Sequence, residues 1–164
     1  MTWLSRLLSG EPHFYIGGSE NPYLRRWYLL PRVRLGTIYL HNILRNDDDR
    51  ALHDHPGDNV SIVLRGTLRE ILPCGSRVLW RGAVVYRRAE DAHRLEVIDG
   101  PVWTIFLMGR RRRVWGFHCD SGWVPWYDFV DEDETGNVGR GCGEMGVLDA
   151  SLKHDTMYQN TRRS

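Results

Sequence analysis

The sequence has little cysteine. Cys74, Cys119 and Cys142 are an odd number at wide spacings, with no Cys-x-x-Cys among them. That argues against both a disulfide framework and a zinc ribbon, and it makes a reducing cytoplasm the natural compartment. Long apolar runs are missing too: none approaches the roughly 20 residues a membrane helix needs. The opening MTWLSRLLSG is too short and too interrupted for a secretory segment, so a soluble, unexported chain is expected. Charge of one sign is also lacking. Lysine and arginine total 22 against 21 acids, a net charge of +1, so no global field recommends nucleic acid or membrane as a partner. What remains, 164 residues with 41% apolar and 26% charged, suits one globular domain with a real core.

Helical periodicity is nearly absent from the middle of the chain. Residues 24–30, 35–44, 59–65, 67–72, 77–80, 83–87, 93–98 and 102–108 read instead as short strands, punctuated by glycine, proline and aspartate. Gly66 is expected to turn a tight hairpin, and Asp99, Gly100 and Pro101 to separate two further strands. Such a pattern predicts an all-β antiparallel sandwich or barrel of the jelly-roll kind over residues 24–130. Residues 1–23 form an N-terminal extension, in which Trp3, Leu4, Leu7 and Leu8 fall at helical spacing and can pack on the barrel or on a partner subunit. Residues 131–164 read as an acidic, glycine-rich tail, dispensable for the fold and anchored, if at all, by Met145, Val147 and Leu148.

Chemistry concentrates in residues 50–66, RALHDHPGDNVSIVLRG. His53 and His55 are separated by one residue, and on an extended strand that spacing points both rings to one side. Two imidazoles on one face suit a divalent metal better than an apolar core. A third, His93, opens the alternating strand HRLEVI. His41 shares a strand face with Thr37, Tyr39 and Ile43, but a lone strand histidine fits a hydrogen-bonded structural role, and it stays outside the ligand set. The triplet Asp47, Asp48 and Asp49 reads as a solvated turn. Arg110, Arg111, Arg112 and Arg113 form the one dense basic run, suited first to a solvated sheet edge and otherwise to binding a phosphate, a carboxylate or nucleic acid. The aromatic stretch 114–130 can wall a ligand cavity, cover a barrel end or make a homodimer contact.

These residues resemble the two motifs of the cupin superfamily. The first runs Gly, five residues, His-x-His, three or four residues, Glu, six residues, Gly. The second runs Gly, five residues, Pro-x-Gly, two residues, His, three residues, Asn. His53, His55 and Gly66 fill slots of the first, and Gly82 and His93 fill slots of the second. Asp47 stands at the first Gly slot, Asn59 at the Glu slot, Arg88 and Glu90 at the Pro and second Gly slots, and Val97 at the Asn slot. The resemblance spans roughly residues 47–97 and implies a double-stranded β-helix, the cupin barrel, with a metal held by His53, His55 and His93. Asp58 is the expected fourth ligand if Pro56 and Gly57 kink the strand; Asn59 or water is the alternative, an arrangement similar to the thiol dioxygenase branch.

The function expected from this set is a metal-dependent enzyme, foremost an Fe(II) oxygenase acting on a small molecule, with Mn, Ni or Zn as other fitting ions. Two alternatives stay open: isomerase or epimerase chemistry on a sugar or small acid, and a non-catalytic module that holds a metal or ligand beside a macromolecular partner. No nucleophile with its own base is legible, since histidines that hold a metal are not free to activate Ser61.

Overall fold

The computed structural model describes residues 2–30, 33, 35–46, 51–130 and 140–143. Asp47, Asp48, Asp49, Met145, Val147 and Leu148 lie outside them. In chain order the elements are α1 (Trp3–Ser9), β1 (Phe14–Ile16), β2 (Leu24–Tyr28), β3 (Gly36–Ile43), β4 (Leu52–His53) and β5 (Asn59–Leu72). There follow β6 (Gly75–Leu79), β7 (Val84–Arg87), β8 (Arg94–Gly109), β9 (Gly116–Cys119), β10 (Gly122–Pro125) and α2 (Trp126–Phe129). The strands make an all-β, antiparallel, double-stranded β-helix. One sheet has the order β1-β2-β3-β8-β5-β6, with β7 also on β5, and a smaller sheet has the order β10-β9-β4. No helix among the described residues is long and apolar enough to cross a membrane.

The centre of the fold departs from the expected chain of short hairpins. β5 runs for 14 residues straight through Gly66, and β8 for 16 through Asp99, Gly100 and Pro101. They pair with each other from Asn59↔Met108 to Ile71↔Arg94, and their register shifts between Val63 and Leu68. The punctuation residues of the two strands therefore meet in one shared irregularity rather than making two turns. Gly66 has φ +82°, and a Cβ there would stand 2.7 Å from the Asp99 carbonyl oxygen and 2.9 Å from Val102 Cγ2. Only glycine fits so close an approach. The real hairpin is one strand later, between β5 and β6, closed by Leu72↔Gly75.

Alternation along these strands divides inside from outside. Leu24, Ile43, Val63, Leu68, Leu79, Val85 and Val102 form the main core, and Ala51, Phe117 and Phe129 a second one beneath the small sheet. α1 packs on its own barrel: Thr2 caps it, and Trp3 Nε1 donates to the Tyr28 carbonyl at 2.9 Å.

A disulfide joins Cys119 to Cys142, which corrects the expectation drawn from the odd cysteine count. Only Cys74 is free, and it is exposed. The spacing of 23 residues carries no signature; the pair meets because Gly141 donates to the Phe129 carbonyl and lays the chain beside β9. The cysteine argument for a reducing compartment falls with it.

Candidate metal centre

His53 ends β4, and its backbone exchanges two 2.9 Å hydrogen bonds with His93, the residue immediately before β8. His55 is fixed by its N–H donating to the Ala89 carbonyl at 3.0 Å. These bonds bring three rings together at steep angles to one another, with centroids 5.0 Å (His53–His93), 5.1 Å (His55–His93) and 5.4 Å (His53–His55) apart. One nitrogen from each lies within 4.8 Å of the other two, and the Nε2 atoms of His55 and His93 stand 2.8 Å apart. Burial lowers the pKa of both: His93 is pushed down to about 3, and His55 well below its usual range, with His93 and His53 adding to the effect. Neutral imidazoles converging on one point are the form that binds a metal.

Between the two histidines, alternation turns Asp54 the other way, as the strand pattern requires. Its buried carboxylate accepts from Gly116 N–H at 2.8 Å and Trp123 Nε1 at 3.0 Å, and pairs with Arg113 at 2.8 Å. Asp54 thus pins the histidine segment to β9 and β10.

Asp58, the expected fourth ligand, is not brought to this cluster. Its Oδ1 accepts from the Ala89 N–H at 2.8 Å and from Arg112 at 2.7 Å, which hold its carboxyl below the usual range, and its side chain is 42% exposed. Asn59 points inward, but its Oδ1 accepts from Arg87 Nη1 at 3.4 Å. The four arginines also differ from a plain sheet edge. Arg112 and Arg113 donate their backbone N–H groups to Pro56, Arg112 further pairs with Glu90, and Arg111 borders the cavity.

The acid that does reach the site is Glu70, which the sequence reading passed over. It is fully buried on β5, with Oε1 2.8 Å from His93 Nδ1 and 2.5 Å from Arg87 Nε, and Oε2 2.6 Å from Arg77 Nε. Burial pushes its pKa up, but His93 and Arg87 outweigh that and hold it well below the usual carboxylate range. Arg87, itself 3% exposed, also donates to Ser61 Oγ at 2.9 Å. A carboxylate behind a ligand histidine fixes the ring's tautomer and raises its basicity. A signal was present: Glu70 is in phase with inward Leu68, and Arg87 with inward Val85, so opposite charges occupy core positions on β5 and on β7, which pairs with it.

His41 is buried but stands apart from the triad, accepting from Arg26 Nε at 2.9 Å and stacking on Phe106 with centroids 5.2 Å apart. Burial first, then Arg26, keeps it neutral. The triad opens on a cavity of about 250 Å³ bordered by Arg26, His41, Thr104, Arg111 and the main core.

No family model and no curated protein matches the chain. Solved structures match its fold. An RmlC-like cupin protein from Ralstonia eutropha is 19% identical, covers 69% of this chain and 71% of its own, and superposes with a TM-score of 0.51. An uncharacterized conserved protein with a double-stranded β-helix domain from Klebsiella pneumoniae is 14% identical, covers 63% and 90% respectively, and has a TM-score of 0.50.

Proposed function

We propose that this cupin-fold chain is a metal-dependent oxygenase, with Fe(II) held by His53, His55 and His93 and a small molecule admitted through the adjoining cavity. The observation that carries the reading is the triad itself: three imidazoles, one backed by a buried carboxylate, converge beside a cavity with no acid among the ligating atoms of the described residues. Ferrous iron, when bound, supplies Lewis acidity and one-electron chemistry toward dioxygen, with coordination positions left for substrate. The chain's own contribution is orientation. Glu70 holds His93, the paired backbone hydrogen bonds hold His53 against His93, and Phe106 packs against His55, with ring centroids 5.5 Å apart. Much of the surrounding wall is aliphatic and aromatic, a surface that disfavours water beside the reacting centre.

Protein purified without an affinity tag is expected to carry about one divalent metal per chain, and Ala at His53, His55 or His93 to remove most of it. Oxygen uptake by the iron-loaded protein against a panel of thiols and small acids then tests the reaction. Full metal occupancy in all three variants would overturn the site. Metal without oxygen uptake on any substrate that binds would turn the reading toward Lewis-acid isomerisation.

A further inference from the structure

We propose that the cavity selects an apolar monoanion: a molecule with one carboxylate or similar acid group on an aliphatic or aryl body. The proposal deepens the reading above and rests on it for the position of the acid group.

The wall of the cavity is divided. Ile43, Val63, Leu68, Leu79 and Leu95 close one part, and all belong to the main core or pack on it. Trp115, Phe117 and Trp126 close another. A sugar or other polyol placed against these two parts would leave hydroxyls without partners, because they present mostly hydrocarbon; of the polar groups elsewhere in the wall, Ser61 accepts from Arg87 and His41 accepts from Arg26. Each unpaired buried hydroxyl is costly, whereas each buried methylene is favourable.

The charges in the wall are of one sign. Among the described residues Arg26, Arg87 and Arg111 border the cavity, and neither aspartate nor glutamate does. Glu70, behind the wall, balances Arg87. Arg26 gives its Nε–H to His41, and Arg111 makes no hydrogen bond or ion pair with any described residue. A divalent ion on the three histidines would add positive charge, and the carboxylate that touches them, Glu70 on His93, is already paired with Arg77 and Arg87. An anion is what such a space attracts, and at low dielectric the attraction is strong. One negative charge and an apolar remainder satisfy both parts of the wall.

The test is a chain-length series of acetate, butyrate, hexanoate and octanoate, with hexanol and glucuronate as controls. Binding is read by calorimetry on zinc-loaded and on chelator-treated protein. Affinity is expected to rise about fourfold per methylene, the ~0.8 kcal/mol of a buried CH₂, until the cavity is filled. Hexanoate should bind more tightly than hexanol and glucuronate. Arg111→Gln should weaken hexanoate roughly fivefold or more and leave hexanol unchanged, while Arg110→Gln, outside the cavity wall, should alter neither. A flat series, or glucuronate bound better than hexanoate, would overturn the apolar half of the proposal. Hexanol bound as well as hexanoate would overturn the anionic half. If zinc binds at the triad but the series fails, the substrate class is wrong and the metal centre stands. If the series holds on protein that takes up no metal, the substrate class stands and the metal centre fails.

Discussion

Glu70 carries two distinct energies at the scale of single residues. It is the counter-charge of buried Arg87 and the orienting group of His93. Glu70→Ala leaves a guanidinium buried without its partner, which is expected to cost about 3–5 kcal/mol in chemical denaturation. Glu70→Gln keeps the shape and removes the charge; metal affinity should fall about 10- to 100-fold while the fold survives. Pairing Glu70→Leu with Arg87→Met should restore most of the stability and none of the metal affinity. Recovery of both together would mean that Glu70 acts only through the fold. Asp58→Asn provides the contrast. Because the Asp58 carboxylate is spent on Ala89 and Arg112 at the surface, metal affinity is expected to stay within about twofold of the parent, as measured by Mn(II) titration.

Among the elements, the segment after α2 behaves differently from a free tail. Cys142 packs on the small core with Trp115 and Trp126, and its disulfide to Cys119 closes a loop of 23 residues. A loop of that length contributes about 3 kcal/mol by restricting the unfolded chain. Cys142→Ser, or reductant, is therefore expected to lower the melting temperature by roughly 6–12 °C, and Cys74→Ser to leave it unchanged. Truncation after Val130 should produce the same loss and still melt cooperatively, because no described residue beyond that point belongs to the main core. A melt insensitive to reductant would mean the bond does not form in solution. The long β5–β8 pair belongs to this scale as well. Gly66 and residues 99–101 each look like a turn when taken alone, and only their pairing converts them into a bend common to both strands.

For the whole molecule, the buried histidines make stability depend on pH. His41 is held neutral by burial and then by Arg26, and His55 and His93 shift in the same direction. The unfolded chain takes up protons below about 6.5, where these native rings do not. Acidification therefore favours unfolding, by up to about 1.4 kcal/mol per pH unit for each such group. Glu70, with its pKa depressed, adds stability above its ordinary value of 4.5 that is lost as pH falls through and below it. Chelator-treated protein is expected to keep a constant unfolding free energy from pH 8 to 7, to lose stability between pH 6.5 and 5, and to lose more below 4.5. His41→Phe should reduce the slope of the first phase by one group. Stability that rises between pH 7 and 5.5 would contradict the burial of these rings in the neutral form.

The amino-acid sequence by itself determined the strand alternation, the all-β class and the common face of His53 and His55, because side-chain parity is a property of one strand and needs no neighbour. The matching motif slots pointed to His93 and to the cupin fold. Which residues stand behind that face was decided only by tertiary structure. Glu70 meets His93 and Arg87 across 23 and 17 positions of chain, and Asp54 meets Gly116 across 62. Asp58 had the right composition and proximity in sequence, yet Ala89 and Arg112 claim its carboxylate first. Cys119 and Cys142 looked unrelated until the chain beyond α2 returned to β9. Spacing fixes direction within an element, whereas partnership depends on which elements pack together, and the burial of apolar surface by the entire chain sets that packing.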